Sequence, residues 1–169
     1  MQPTMQPRSI AETRVQLSQF MRLEHANSVG NVHGGEIMKF VDEVGALAAM
    51  RHAHHVVVTV AVDSMVFMEP IYVGYVVTAE AELTYVGKTS IEVHVTVSKE
   101  NPLTGERKQT NSAYLVYVAI DNEGHPQPVP PLVANSPEEQ AIMEAAEERQ
   151  AMRKRHRDEE RAKADRKAV

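Results

Sequence analysis
A chain of 169 residues with 43% apolar and 24% charged side chains has the composition of one globular domain with a sizeable core and room for an appendage. Its net charge of -5 gives no general attraction for nucleic acid, and the absence of cysteine removes disulfides, thiolate metal sites and cysteine nucleophiles together. The N-terminus lacks the apolar run of a secretory signal, and no stretch approaches the roughly 18 apolar residues that span a bilayer, so a cytoplasmic protein without membrane partners is expected.

In chain order, residues 1–8 hold two prolines and read as a flexible lead-in, and residues 9–132 read as the folded domain. Val15 and Leu17 alternate with polar neighbours in a first strand between Glu12 and Met21. Residues 25–31 are rich in turn formers and read as a loop. A helix is predicted from Gly34 to about His52, with Ile37, Val41, Val44 and Ala48 on one face. Asp42 lies off that face and shares its own side with the small residues Gly45 and Ala49, which leaves room for another chain or a ligand. Phe40, Leu47 and Met50 add apolar groups elsewhere, so protein should surround most of this helix.

From Val56 to Asp121 the pattern is that of antiparallel strands. Val56 to Phe67 is dense in valine, as in a strand buried on both faces. Val76–Val86 and Ile91–Val97 alternate strictly and are joined by a Gly87-Lys88 turn, and a last strand covers about Lys108 to Asp121. Residues 124–137 are proline-rich and read as a linker. Ser136 can cap a charged helix reaching about Ala168, supported by an i,i+4 pair of Glu159 and Lys163. That helix reads as a solvated tail or as a surface for a neighbouring subunit. Its basic run, residues 153–157, is flanked by acids and lacks aromatics, unlike a nucleic-acid site.

The stretch with chemistry in it is Asn31 to Gly45. Two glycines at a helix entrance, Gly34 and Gly35, let backbone N–H groups approach an oxygen carrying developing charge. A carboxylate two turns on, Asp42, is placed to act as a base. Each residue also has a plainer reading: a tight helix entry for the glycines, a solvated carboxylate for Asp42, a self-bonding turn residue for Asn31. His33, between loop and glycines, ranks level with Asp42 as a base on residue type alone. His52, His54 and His55 lack the carboxylate or cysteine of a metal site and read as a helix-terminal group, so no metal is expected. Asp63, between valines, reads as a structural carboxylate bonded to backbone.

Strand, long helix, then four strands is an α+β order. A sheet curled around the helix solves its burial, and pairing with a second copy covers the free edge. The segment 30–35 followed by 38–45 resembles the signature of the hotdog-fold acyl-CoA thioesterases, in the subgroup of cytosolic acyl-CoA hydrolases. The likeness runs on through residues 60–67, 86–90, 110–114 and 117–119 and covers about residues 10–132.

That resemblance implies a hotdog fold, a five-stranded antiparallel sheet around the central helix, and hydrolysis of an acyl-CoA thioester to free acid and coenzyme A. It implies a site built from Asn31 of one subunit and Asp42 of the other, hence a homodimer, with three dimers forming a hexamer. There Asn31 orients the water or the carbonyl, and Asp42 acts as general base on water or attacks the carbonyl itself to give a mixed anhydride. His33 then shapes the loop or the pantetheine channel rather than serving as the base. Lys88, Thr89 and Ser90 receive the phosphates or pantetheine amides or form a solvated turn, and Asn111 and Ser112 meet a neighbouring subunit or coenzyme A. No cofactor is implied, coenzyme A being part of the substrate. A hotdog dehydratase and a non-catalytic acyl-CoA sensor are the rival readings. The dehydratase pairs a histidine with its carboxylate, whereas Asp42 has an asparagine partner.

Overall fold
Helix α1 (Gly34–Ala53) starts directly after His33, whose ring Nδ1 accepts from the Gly35 N–H at 2.9 Å and satisfies one open donor of the first turn. The predicted stripe Ile37, Val41, Val44 and Ala48 is buried, with Phe40, Gly45 and Ala49 buried beside it. Met38 and Met50 on the other side are exposed, so one chain covers about half of the helix rather than most of it. It ends at His54 in the left-handed region (φ 55°), and the Arg8 guanidinium bonds the Arg51 carbonyl at 3.0 Å. These details come from a computed structural model that describes residues 5–63 and 65–167, with side chains to Lys163. Residues 1–4 of the expected lead-in, Ser64 and Ala168 lie outside the described residues.

Strands β2 (Val15–Phe20), β3 (Val56–Val62), β4 (Val76–Val86), β5 (Ser90–Glu100) and β6 (Arg107–Ile120) form one antiparallel sheet. Its order is β2-β4-β5-β6-β3, and α1 packs against all five strands. Strict alternation in β4 and β5 turns Ala79, Ala81, Leu83, Val93, Val95 and Val97 inward, and all are buried.

The expectation of a strand from Val56 to Phe67 buried on both faces is overturned. β3 stops at Val62 and is an edge strand, where Val56, Val58, Val60 and Val62 are 58%, 41%, 56% and 49% exposed. Its valine content therefore marks an apolar edge that one chain leaves open. The residues after β3 form a loop latched to the sheet: Asn111 Nδ2 donates to the Val66 carbonyl at 2.9 Å, and the Met68 N–H to Thr110 O at 3.1 Å.

Neither the lead-in nor the linker hangs free throughout. Strand β1 (Arg8–Ser9) pairs in parallel with β7 (Leu132–Val133), and the Gln127 and Val129 N–H groups bond Ala119 O and Lys88 O at 2.8 and 3.1 Å. Proline excludes regular ladder pairing but not packing, so periodicity carried no trace of this return. The first unit ends at Val133. In the second, helix α2 (Pro137–Lys167) is opened by Ser136 Oγ, which accepts from the Glu139 N–H at 3.2 Å. Lys163 pairs with Glu160 at 3.1 Å, at i,i+3, rather than with Glu159.

His52 is buried, and its Nε2–H donates to the Pro130 carbonyl at 2.7 Å while no described residue reaches Nδ1. Burial, first, lowers its pKa below the ordinary 6.5, with Arg8 and His54 adding to the effect and the Pro130 bond opposing it. The unfolded chain thus binds the proton more readily, so His52 favours folding above about pH 6.5, and this contribution is lost as pH falls below it. Thermal unfolding between pH 7.5 and 5.5 is expected to show a falling midpoint. His52→Gln, which keeps a donor for Pro130, should flatten that slope; an unchanged slope would show that other groups govern it.

Candidate active site
Asp42 is reached from the sheet by two hydroxyls. Thr59 of β3 and Tyr117 of β6 are directly opposite one another in the ladder, so both side chains turn to the same face, beneath α1. Thr59 Oγ1 donates to Asp42 Oδ1 at 2.8 Å, and Tyr117 Oη lies 3.2 Å from the same oxygen and 3.1 Å from the Asp42 backbone carbonyl. A register shift falls between Thr59 and Ala61, so the ladder breaks just after it has delivered the Thr59 hydroxyl. The second carboxylate oxygen has no donor among the described residues, and Asp42 is half-buried. One oxygen is therefore anchored while the other stays available.

The sequence pattern missed both hydroxyl partners. Thr59 is the one polar side chain in the run Val56–Val62, and Tyr117 is a phenol within the inward row Ala113, Leu115, Tyr117, Ala119. The phenol in that inward row is a signal of a buried polar group that needs a partner. Alternation alone does not say which acceptor supplies it.

At the helix entrance, the self-bonding turn role belongs to Asn27 rather than Asn31. Asn27 Oδ1 accepts from the N–H groups of Val29 and Asn31 at 3.0 and 3.2 Å. The half-buried Asn31 carboxamide bonds to no described residue and borders a cleft of about 310 Å³ with Gly34, Ile37, Phe67 and Ile71. Phe67 stacks close enough to Gly34 that an added Cβ would touch its ring at 3.4 Å. The cleft's far wall is held by Lys99, which bonds the Pro70 carbonyl at 2.8 Å and Glu69 at 3.1 Å. Of the two glycine N–H groups, that of Gly35 is already taken by His33, so His33 is the helix cap and Gly34 is the donor left open.

Asp42 does not line this cleft. Asp42 lies eight positions along the helix from Gly34, about 12 Å along the axis. Ser90, at the end of the Lys88-Thr89-Ser90 turn, is opposite Val118 in the ladder, on the sheet face away from the Tyr117 side chain. The Lys88 side chain is exposed and unbonded to described residues, while Thr89 and Ser90 are half-buried. Asn111 is fully buried, with its Nδ2 on the loop and its Oδ1 meeting no donor among the described residues; Ser112 faces away from α1, opposite Thr96. Asp63 donates its backbone N–H to Tyr114 O at 2.8 Å. His52 and His54 serve the helix end, and among the described residues no three His, Asp or Glu side chains could hold a metal. No described helix is long and apolar enough to cross a membrane.

A curled antiparallel sheet around one long helix, with a carboxylate midway along it and an amide at its entrance, defines a hotdog fold. A hexameric acyl-CoA thioesterase superposes with a TM-score of 0.84 at 36% identity, over 89% of this chain and 97% of that one. An acyl-CoA hydrolase from Staphylococcus aureus, in complex with butyryl coenzyme A, coenzyme A and coenzyme A disulfide, superposes at 0.85 and 29% identity, over 96% and 99%. Variants of that hydrolase with an aspartate, an asparagine or a threonine changed to alanine have the same fold.

In sequence, the chain is 37% identical over 133 residues to the uncharacterized acyl-CoA thioester hydrolase YkhA of Bacillus subtilis, covering 77% of each. It is 40% identical over 127 residues to the cytosolic acyl coenzyme A thioester hydrolase of Mus musculus, covering 70% of this chain and 33% of that longer protein. The Thioesterase superfamily model matches residues 29–106. The chain belongs to the thioesterase superfamily, in the branch of the acyl-CoA thioester hydrolases.

Proposed function
We propose that this protein hydrolyses acyl-CoA thioesters to a free acid and coenzyme A, as a cytoplasmic enzyme that needs no cofactor. The observation that carries the reading is the Asp42 carboxylate, anchored through Oδ1 by Thr59 and Tyr117 with its other oxygen open. Asp42 takes a proton from water as that water adds to the thioester carbonyl. The carbonyl oxygen gains charge and is met by the Gly34 N–H, a donor of a kind worth about 3 kcal/mol of barrier. Asn31 orients the water or the carbonyl. The tetrahedral intermediate then collapses and expels the coenzyme A thiolate, which takes up a proton.

Asn31 and Gly34 come from one subunit and Asp42 from its partner. The separation of Asn31 from Asp42 along α1, and the open valine edge of β3, both support pairing of two copies. Three such dimers would make the hexamer that one structural relative forms. The exposed Lys88 ammonium, unpaired among the described residues, suits the phosphates of coenzyme A. The residue types altered in the Staphylococcus aureus variants are those of Asp42, Asn31 and Thr59.

The test is release of free thiol from a panel of acyl-CoA esters of increasing chain length. Multiple turnovers per site are expected. Stoichiometric binding without thiol release would replace the hydrolase reading with that of a sensor.

A further inference from the structure
We propose that Tyr117 is a positioning residue for the Asp42 base, and that Gly45 is a glycine in order to admit its phenol. This rests on the reading of Asp42 as the base. Three observations converge on it.

The first is the ladder rung that places the Thr59 and Tyr117 hydroxyls on one carboxylate oxygen. A carboxylate held at one oxygen by two donors from rigid strands loses its freedom to turn about the terminal torsion, so the other oxygen keeps one direction.

The second is space. A Cβ at Gly45 would lie 2.5 Å from Tyr117 Oη and 3.3 Å from Cζ, so any larger residue displaces the hydroxyl. Asp42 and Gly45 are three residues apart on the same helix side, and the phenol fills the gap between them. The small-residue side predicted beside Asp42 thus receives a side chain of the same subunit.

The third is protonation. Tyr117 is fully buried, and that burial, reinforced by the Asp42 charge, raises its pKa well above the ordinary phenol value. It therefore stays a hydrogen-bond donor across the working pH range. The single O–H is shared between Oδ1 and the Asp42 backbone carbonyl, so it holds the helix as well as the side chain.

The experiment compares Tyr117→Phe, Gly45→Ala and the double variant in the full-length protein by kcat, KM and thermal midpoint. Tyr117→Phe keeps the ring in the core and removes only the hydroxyl. Loss of the anchor should lower kcat about 10- to 100-fold with KM within about twofold, as misplacement of a reacting group by about 1 Å does. Gly45→Ala should show the same kcat loss, because its methyl drives the phenol off Asp42. In the double variant no oxygen stands in the methyl's way, so kcat should be no lower than in Tyr117→Phe alone.

A merely structural Tyr117 would lower the thermal midpoint and leave kcat per folded subunit unchanged, with the two substitutions compounding; that outcome overturns the proposal. If Gly45→Ala does not fold, Tyr117→Phe decides alone. Full turnover by Asp42→Asn would instead remove the base reading itself. A dead Asp42→Asn beside a fully active Tyr117→Phe removes only the role of Tyr117.

Discussion

Asp42→Asn should lower turnover by about 10²- to 10⁴-fold, the span that a positioned general base contributes, with little change in folding. Asparagine has the size of aspartate and keeps a carbonyl oxygen to accept from Thr59 and Tyr117, so both hydroxyls retain a partner. It lacks the capacity to take a proton from water. The measurement is thiol release at saturating and limiting acyl-CoA, with a thermal midpoint taken on the same preparation. Under the proposed mechanism the loss should fall on kcat while KM stays within a few-fold, because a base acts on the water rather than on substrate affinity. Asp42→Ala should lose at least as much turnover and also some stability, since the Thr59 and Tyr117 hydroxyls then lose their shared acceptor. A near-normal kcat in Asp42→Asn would leave the anchored carboxylate with a structural role only.

The second large effect should appear when two inactive proteins are mixed. Asn31→Ala and Asp42→Ala each remove one half of every site. If the halves come from different subunits, a mixed dimer has one complete site and one lacking both groups. Random reassortment makes about half of all dimers mixed, so roughly a quarter of wild-type activity should return. If Asn31 and Asp42 served the same subunit's site, the mixture would stay as inactive as its components. The structure favours recovery. Asn31 borders the cleft at the helix entrance, Asp42 lies two turns further on, and β3 carries an apolar edge fit to bring a second chain alongside. Co-refolding the two variants avoids dependence on spontaneous exchange.

Much of this protein could be read from one dimension. Helix α1 was legible because a glycine pair and a 3.6-residue apolar period mark its start and its buried face independently. β4 and β5 were legible because polar and apolar residues alternate along them, and only one register buries the apolar set. The likeness between residues 30–45 and a known signature located Asn31 and Asp42 before any coordinates. The same cues misjudged β3, since a valine run reads alike for a strand buried by its own chain and one awaiting another.

The sequence by itself determined the order of elements, the helix carrying Asp42, the loop carrying Asn31, and the family. Each of these depends on neighbours within a turn or a strand, where spacing along the chain is spacing in space. Only the tertiary structure decided that His33 caps α1, that Asn111 latches a loop, and that Thr59 and Tyr117 close on Asp42 across 17 and 75 positions. Such contacts arise from which strands become neighbours in the sheet. Strand pairing is settled by burying all faces at once, a property that no local stretch of the chain contains.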